Sequence, residues 1–471
     1  MPEYKTPGVY VEEISTLPAS VAQVETAIPA FIGYTEIAQE RLADDLLNVP
    51  TRITSLVEYR QKFGGPQVET FAVDILEDDA TTPSTFTVSP VSAPTPTYRM
   101  YYSMQMYFAN GGGPCWIISV GTGYDDAISN TDMNGTGALA ELKKEDEPTI
   151  IVFPDIAGVS DTSQYYGIYN DALSQASELG DRVVLIDLKP DQSVSDLRNN
   201  IASDLDLVKY GAAYHPYLET SLSFHFTDAS VSVNAHTTTS TNPPAVDLTT
   251  ATDISDSTIK DDQNALYNLI RQAVSKPKVT LAPSSAIAGI YARVDADRGV
   301  WKAPANVSVL NVSRPTIKIT EESQRSLNVD TVGGKSINAI RAFTGRGILV
   351  WGARTLAGND NEWRYVPVRR LYNMVEESLQ KATSWVVFEP NTANTWIRVK
   401  AQAENFLNRL WRDGALAGAT PEDAYFVNVG LGITMTAVDI LEGRLIVEIG
   451  MAAARPAEFI ILRFSHKLQE S

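Results

Sequence analysis

Asp155 and Asp187 each close a short apolar run, Pro148–Asp155 and Arg182–Leu188, the place where a doubly wound sheet presents catalytic or ligand-binding carboxylates. An Asp there equally caps a helix or starts a turn, which needs no ligand. Gly333-Gly334-Lys335-Ser336 ends like a phosphate-binding loop, but that loop needs a glycine five positions before the Gly-Lys pair, and the chain has Val329. His215, His225, His236 and His466 lack a His-x-x-x-His or Cys-x-x-Cys partner, so spacing gives no metal site. The single cysteine, Cys115, lies in an apolar Cys-Trp-Ile-Ile run, which excludes an intrachain disulfide and marks a buried, inert thiol. No Ser-His-Asp set comes with a nucleophile elbow. The expectation is a protein without catalytic residues, metal or cofactor.

The elements that would position any site read as an α/β and α+β multidomain chain. At 471 residues it exceeds one ordinary core. Ile28–Tyr34, Cys115–Val120, Pro148–Asp155 and Arg182–Leu188 are continuous apolar runs, and between them Tyr98–Asn110 and Gln164–Leu179 have helical spacing. That alternation predicts a mostly parallel sheet covered on both faces. Two stretches break the pattern, 66–97 with its prolines and 219–262 with its Ser, Thr, Asp and Asn. They read as small β-rich insertions facing outward, the second as a small antiparallel unit. Asn264–Ser275 is expected to be a helix, and a C-terminal α+β block is expected to begin near 331. The divisions are then 1–27, an arm and linker; 28–330, a middle domain with insertions; and 331–471, a C-terminal domain with a final strand.

Charge narrows the partners. The whole chain carries −19, while residues 331–471 hold 16 Lys+Arg and 14 Asp+Glu, which leaves −21 on residues 1–330. A nucleic-acid binder needs a basic footprint that this balance lacks. A near-neutral C-terminal part suits close contact with other protein. No stretch of 18 apolar residues and no basic-then-apolar leader is present, so neither membrane insertion nor secretion is expected, and the chain should be made and folded in a cytoplasm.

Two segments look built for contact. Thr6–Ile14 begins at a Pro-Gly turn and alternates Val9 and Val11 against Tyr10 and Glu12, a strand with no return strand after it. Such an arm can pair at home or along the sheet edge of another molecule. In Thr395–Arg412 the apolar residues Trp396, Val399, Ala403, Phe406, Leu407, Leu410 and Trp411 form one stripe, and Arg398, Asn405, Arg409 and Arg412 fall opposite, either solvated or gripping an acidic surface. The last run, Glu458–Phe464, has strong β-propensity.

Six separated segments carry a family likeness. They are Tyr4–Ile14, Phe108–Cys115, Ala288–Asp295 with Gly299–Asn306, Ile337–Arg341, Val350–Leu356 and Phe388–Asn391. Together they resemble the contractile tail sheath proteins of bacteriophages and phage-tail-like injection particles. The resemblance implies a helical sleeve of stacked hexameric rings that polymerises around an inner tube protein. It also implies baseplate and tail terminator partners, other sheath variants as possible co-assemblers, and contraction that drives the tube through an envelope. It implies that terminal strands are exchanged between copies, through Val9, Tyr10, Val11, Glu12, Glu13 and Ile14 at one end and Phe459, Ile461, Arg463 and Phe464 at the other. Arg398, Asn405, Arg409 and Arg412 become candidate tube contacts, and Ser15–Ala27 and the residues near Ala457 candidate flexible linkers. A non-contractile filament or surface-layer subunit, and a ligand-binding α/β protein using Asp155 or Asp187, remain as alternatives.

Overall fold

The computed structural model describes residues 21–240 and 243–461. They form two compact units, one of residues 25–373 with 455–461 and one of residues 21–24 with 374–454.

The larger unit is organised by a nine-stranded sheet among the described residues, in the order Val307–Ser308, Gly347–Val350, Ile337–Phe343, Gly211–His215, Val183–Asp187, Ile150–Val152, Pro29–Gly33, Cys115–Ser119, Thr51–Ile53. The six strands from Ile337–Phe343 to Cys115–Ser119 pair in parallel, and antiparallel strands close both flanks. Alternate residues of the central strands enter two different cores. Phe31, Ile117, Val152 and Leu185 face one, and Ala30, Ile32, Ile118, Ile151 and Ile186 face the other. Burial on both faces is why these strands read as unbroken apolar runs instead of alternating ones. One core is covered by the helices Met100–Ala109 and Ser284–Arg298, the other by Thr162–Leu179.

The two segments taken as separate insertions join. Phe71–Asp78 pairs in parallel with Val231–Thr238 and antiparallel with Thr85–Val88, giving one three-stranded sheet. The expected antiparallel unit within 219–262 is therefore replaced by a mixed sheet, because its long strand finds its partner some 160 positions earlier. Leu218–Ser223 belongs instead to a third sheet with Lys278–Leu281 and Val312–Pro315. The step expected near 331 falls at 373/374. Ile337–Phe343 and Gly347–Val350 add strands to the large sheet, so 331–373 pack with the middle unit.

The smaller unit is built on the helix Ala393–Arg412 and the antiparallel pair Tyr425–Val429 and Val447–Met451, in register Tyr425 to Met451 and Val429 to Val447. No helix among the described residues is long and apolar enough to cross a membrane.

Candidate assembly interface

The residues that looked most like chemistry serve as caps. Asp155 is fully buried, and its carboxylate accepts from the backbone N–H of Tyr34 at 2.7 Å, of Met100 at 3.1 Å and, at shorter range, of Arg99. Arg99 and Met100 open the helix Met100–Ala109, so the carboxylate satisfies donors that the helix cannot. Asp187, also fully buried, accepts from Ser284 N–H at 3.1 Å at the start of Ser284–Arg298. Burial pushes Asp155 up to about 6, against the pull of the Arg99 and Tyr34 N–H groups, and pushes Asp187 up to about 7, against the pull of Ser284. Lys335 points inward, where its ammonium donates to the carbonyls of Arg198 and Ile201 at the end of Val194–Asn200. Among the described residues no three His, Cys, Asp or Glu side chains group as metal ligands. Cys115 is buried, and burial raises its thiol pKa.

The Asp187 shift has a sign that can be checked. Its folded pKa lies above the ordinary aspartate value, so its contribution to stability is greatest at acid pH and is lost as pH rises toward 7. Asp187→Asn keeps an acceptor for Ser284 without a charge. The variant should gain on the wild type between about pH 4 and 7, by a few kcal/mol at ~1.4 kcal/mol per pKa unit, and the gain should flatten above that. Urea melts at pH 4.5, 6 and 8 read it; a difference that does not change with pH contradicts it.

What the fold leaves open lies elsewhere. In the smaller unit, Val399, Ala403, Phe406, Leu407 and Leu410 are buried, Trp396 and Trp411 at the margins of the stripe are only partly covered, and the helix Ala393–Arg412 packs on Tyr425–Val429. The helix ends at Gly414, whose φ of 83° permits the turn that returns Ala415 N–H to Leu410 O at 2.9 Å. Arg398, Asn405, Arg409 and Arg412 are all exposed on the opposite side, as helical spacing predicts. Arg398 stacks over the Trp385 ring at 4.4 Å. Arg409 is engaged within its own unit, where its guanidinium donates to the carbonyl of Val21 at 2.8 Å, and Val24 N–H donates to Ser378 Oγ at 3.1 Å.

The pair Tyr425–Val429 and Val447–Met451 has no further strand beside it among the described residues. Two strands alone are marginal, and such a pair gains from a further strand beside it. Close by is an apolar rim that spacing did not reveal. Phe388 is fully exposed with φ 70°, and Ile397, Leu431, Ile433, Val438 and Leu441 are each more than half exposed. Asn391 ties its loop to this region by donating to Arg444 O at 2.9 Å and accepting from Trp396 Nε1 at 2.6 Å. Patches of this kind mark contact surfaces, and the signal in the sequence was the apolar residues between Gly430 and Gly443, which fit no helical or strand period.

The exchange residues divide. Val9–Ile14, Arg463 and Phe464 lie outside the described residues. Phe459 and Ile461 lie in a segment with no strand, 71% and 77% exposed. The linkers are tighter than expected from Val21 onward, since Val21 is buried and Thr26 and Glu458 are each held by several side chains.

Comparison with known proteins gives a consistent set of likenesses. Residues 358–467 match the family model described as phage tail sheath C-terminal domain. The tail sheath protein of Burkholderia phage BcepMu is 30% identical over 140 residues, 29% of this chain and 29% of that protein's length. The helical sheath of the anti-feeding prophage in its contracted state matches with TM-score 0.65 and 32% identity, covering 98% of this chain and 100% of that one. The sheath complex of PVC, an extracellular contractile injection system, also in its contracted state, matches with TM-score 0.64 and 29% identity, covering 99% of both chains.

Proposed function

The chain belongs to the contractile tail sheath family, and on that premise we propose that it polymerises as a helical sleeve around an inner tube and contracts to drive the tube through a target envelope. The observation that carries this reading is the correspondence over nearly the whole chain with a helical sheath in its contracted state. Its partners are further copies of itself, the tube, a baseplate and a terminator, in a phage tail or a released injection particle. The work comes from the difference in packing between two arrangements of the same subunits.

The smaller unit is the receiving part. Its two-stranded sheet has an edge on each side for a strand from an adjoining copy, Val9–Ile14 on one and the run through Phe459 and Ile461 on the other. Several main-chain bonds at ~1 kcal/mol each make a joint that outlasts weaker polar contacts as subunits rearrange. The apolar rim around Phe388 is covered once copies pack. The three-stranded sheet of 71–78, 85–88 and 231–238 faces outward as decoration. Imaging purified particles tests the proposal: two sheath lengths are expected, and a single fixed length in every condition, including after triggering, favours a non-contractile filament.

Arg398 and Arg412 remain the better tube contacts of the four, because Arg409 is already engaged with Val21. Exposed arginines spaced along roughly 20 Å of helix, at ~1.5 Å per residue, suit an acidic tube surface. Arg398→Glu with Arg412→Glu should leave subunit melting within about 0.5 kcal/mol of the wild type, as exposed changes do, and should cut tube-templated assembly at least ~10-fold. Co-sedimentation with tube measures it; undiminished templating rules these residues out.

A further inference from the structure

The larger unit holds Thr26 and Glu458, near the two ends of its described residues, by ion pairs on buried arginines. At the C-terminal side, the Glu458 carboxylate receives Arg354 Nη2 at 2.5 Å and Nε at 3.0 Å, Asn328 Nδ2 at 2.8 Å and the Tyr365 hydroxyl at 3.1 Å. The Arg354 side chain is 4% exposed and the Glu458 side chain 22%. Arg455, three residues earlier, donates to Asn361 O at 2.6 Å. Immediately beyond Glu458 the support stops, and Phe459, Ile460 and Ile461 are all more than two-thirds exposed.

The N-terminal side repeats the device with different residues. Arg370 and Asp295 form a two-pronged pair at 2.5 and 3.0 Å, with Arg370 also over the Tyr291 ring at 4.5 Å. Their side chains are 3% and 7% exposed. Thr26 is threaded through this pair: its hydroxyl donates to Asp295 at 2.6 Å, and its carbonyl accepts from Arg370 at 2.8 Å and from Thr149 Oγ1 at 2.9 Å. A desolvated Arg–carboxylate pair adds little net stability over apolar packing, yet it fixes geometry and is costly to break by halves. The Arg370–Asp295 pair is of this kind and the Arg354–Glu458 pair is desolvated on its arginine side; each holds one extended segment, where position matters more than stability.

We propose that Glu458 and Thr26 are fixed origins for the two arms, with Arg354, Asn328 and Tyr365 at one and Arg370, Asp295 and Thr149 at the other as positioning residues that set each arm's reach and deliver its pull to the larger unit. The consequence for assembly rests on the sheath reading; the anchoring does not. At the C-terminal side arm length is then counted from Glu458; at the N-terminal side Val21 and Val24 are held as well, so the free arm is counted from Val21 and Thr26 fixes where the segment enters the larger unit.

The test uses the full chain, in which Cys115 is buried and inert to labelling. Nitroxide labels are placed singly at Glu25→Cys and Ala457→Cys, both exposed sites beside the anchors. In the free wild-type subunit both labels should be motionally restricted. Glu458→Gln should free the label at 457 partly and Glu458→Ala should free it several-fold more, with the label at 25 unchanged in both; the melting temperature should hold in Glu458→Gln, which keeps an acceptor for Arg354, and fall by several degrees in Glu458→Ala, which does not. Thr26→Val, which spares the Arg370–Asp295 pair, should loosen only the label at 25. In particles, Glu458→Ala should shorten sheaths or stall contraction. Labels equally mobile in every variant overturn the anchors. Labels freed in subunits whose sheaths keep wild-type length and contraction overturn the role in transmitting pull. A wild-type chain that forms no sheath with its tube counts against the functional reading and leaves the anchors standing.

Discussion

Removing residues 1–14 should leave a subunit that folds and melts like the full chain but forms no long sheaths. The supports of the described N-terminal segment survive the truncation, since Arg409, Ser378, Arg370, Asp295 and Thr149 all act at Val21 or later. What is lost, on the proposed assembly, is the strand donated to a neighbour. If it makes about five main-chain bonds at ~1 kcal/mol each, every joint weakens by roughly 10³-fold or more, since ~1.4 kcal/mol is a factor of ten. The loss repeats at each copy along the sleeve, so mean length should fall at least ~10-fold. Negative-stain length distributions, with thermal melts of the same preparations, measure both halves. Sheaths of normal length from the truncated chain would refute the arm's role.

The second large effect is on the subunit itself. Asp155→Ala strips the acceptor from three backbone N–H groups, those of Tyr34, Arg99 and Met100, in a site with no access to water. Leaving buried donors unpaired costs ~1–3 kcal/mol each, and the relief of burying a carboxylate offsets part of that. A net loss of roughly 3 kcal/mol is expected, enough to lower the melting temperature by several degrees. Gly33→Ala should act on the same cluster, because a Cβ at Gly33 would sit 2.4 Å from Asp155 Oδ2. An Asp155→Ala subunit that melts with the wild type would mean that these caps contribute nothing.

Much of this was legible where one local rule decides the outcome. Cys115–Val120 and Arg182–Leu188 read as strands because burial on both faces leaves no polar interruption, and they are observed as Cys115–Ser119 and Val183–Asp187. Thr395–Arg412 read as a helix with a basic face because 3.6-residue spacing is a local property, and the helix runs Ala393–Arg412. The family was legible in six segments for the same reason. Two of them contain Asp295 and Arg354, yet nothing local says that these residues hold Thr26 and Glu458.

Contacts between distant positions were illegible. Phe71–Asp78 and Val231–Thr238 share a sheet that neither announces, and Asp155 caps a helix that precedes it by more than 40 residues. Arg409 matched Arg398 and Arg412 on the helical wheel but bonds to Val21, so equal spacing concealed unequal roles. The two-stranded sheet was invisible for a related reason. Val447–Met451 reads as an ordinary strand, and nothing in it says that Tyr425–Val429 is the one strand paired with it among the described residues.

The central claim is that Tyr425–Val429 and Val447–Met451 become the middle of a sheet built from three chains. A cryo-EM map of the assembled particle, sharp enough to trace backbone, tests it directly. The account predicts Val9–Ile14 of one copy and the run through Phe459–Ile461 of another hydrogen-bonded along the two outer edges, in both the long and the short state. A map in which those segments fold onto their own subunit, with both edges bare, would contradict it.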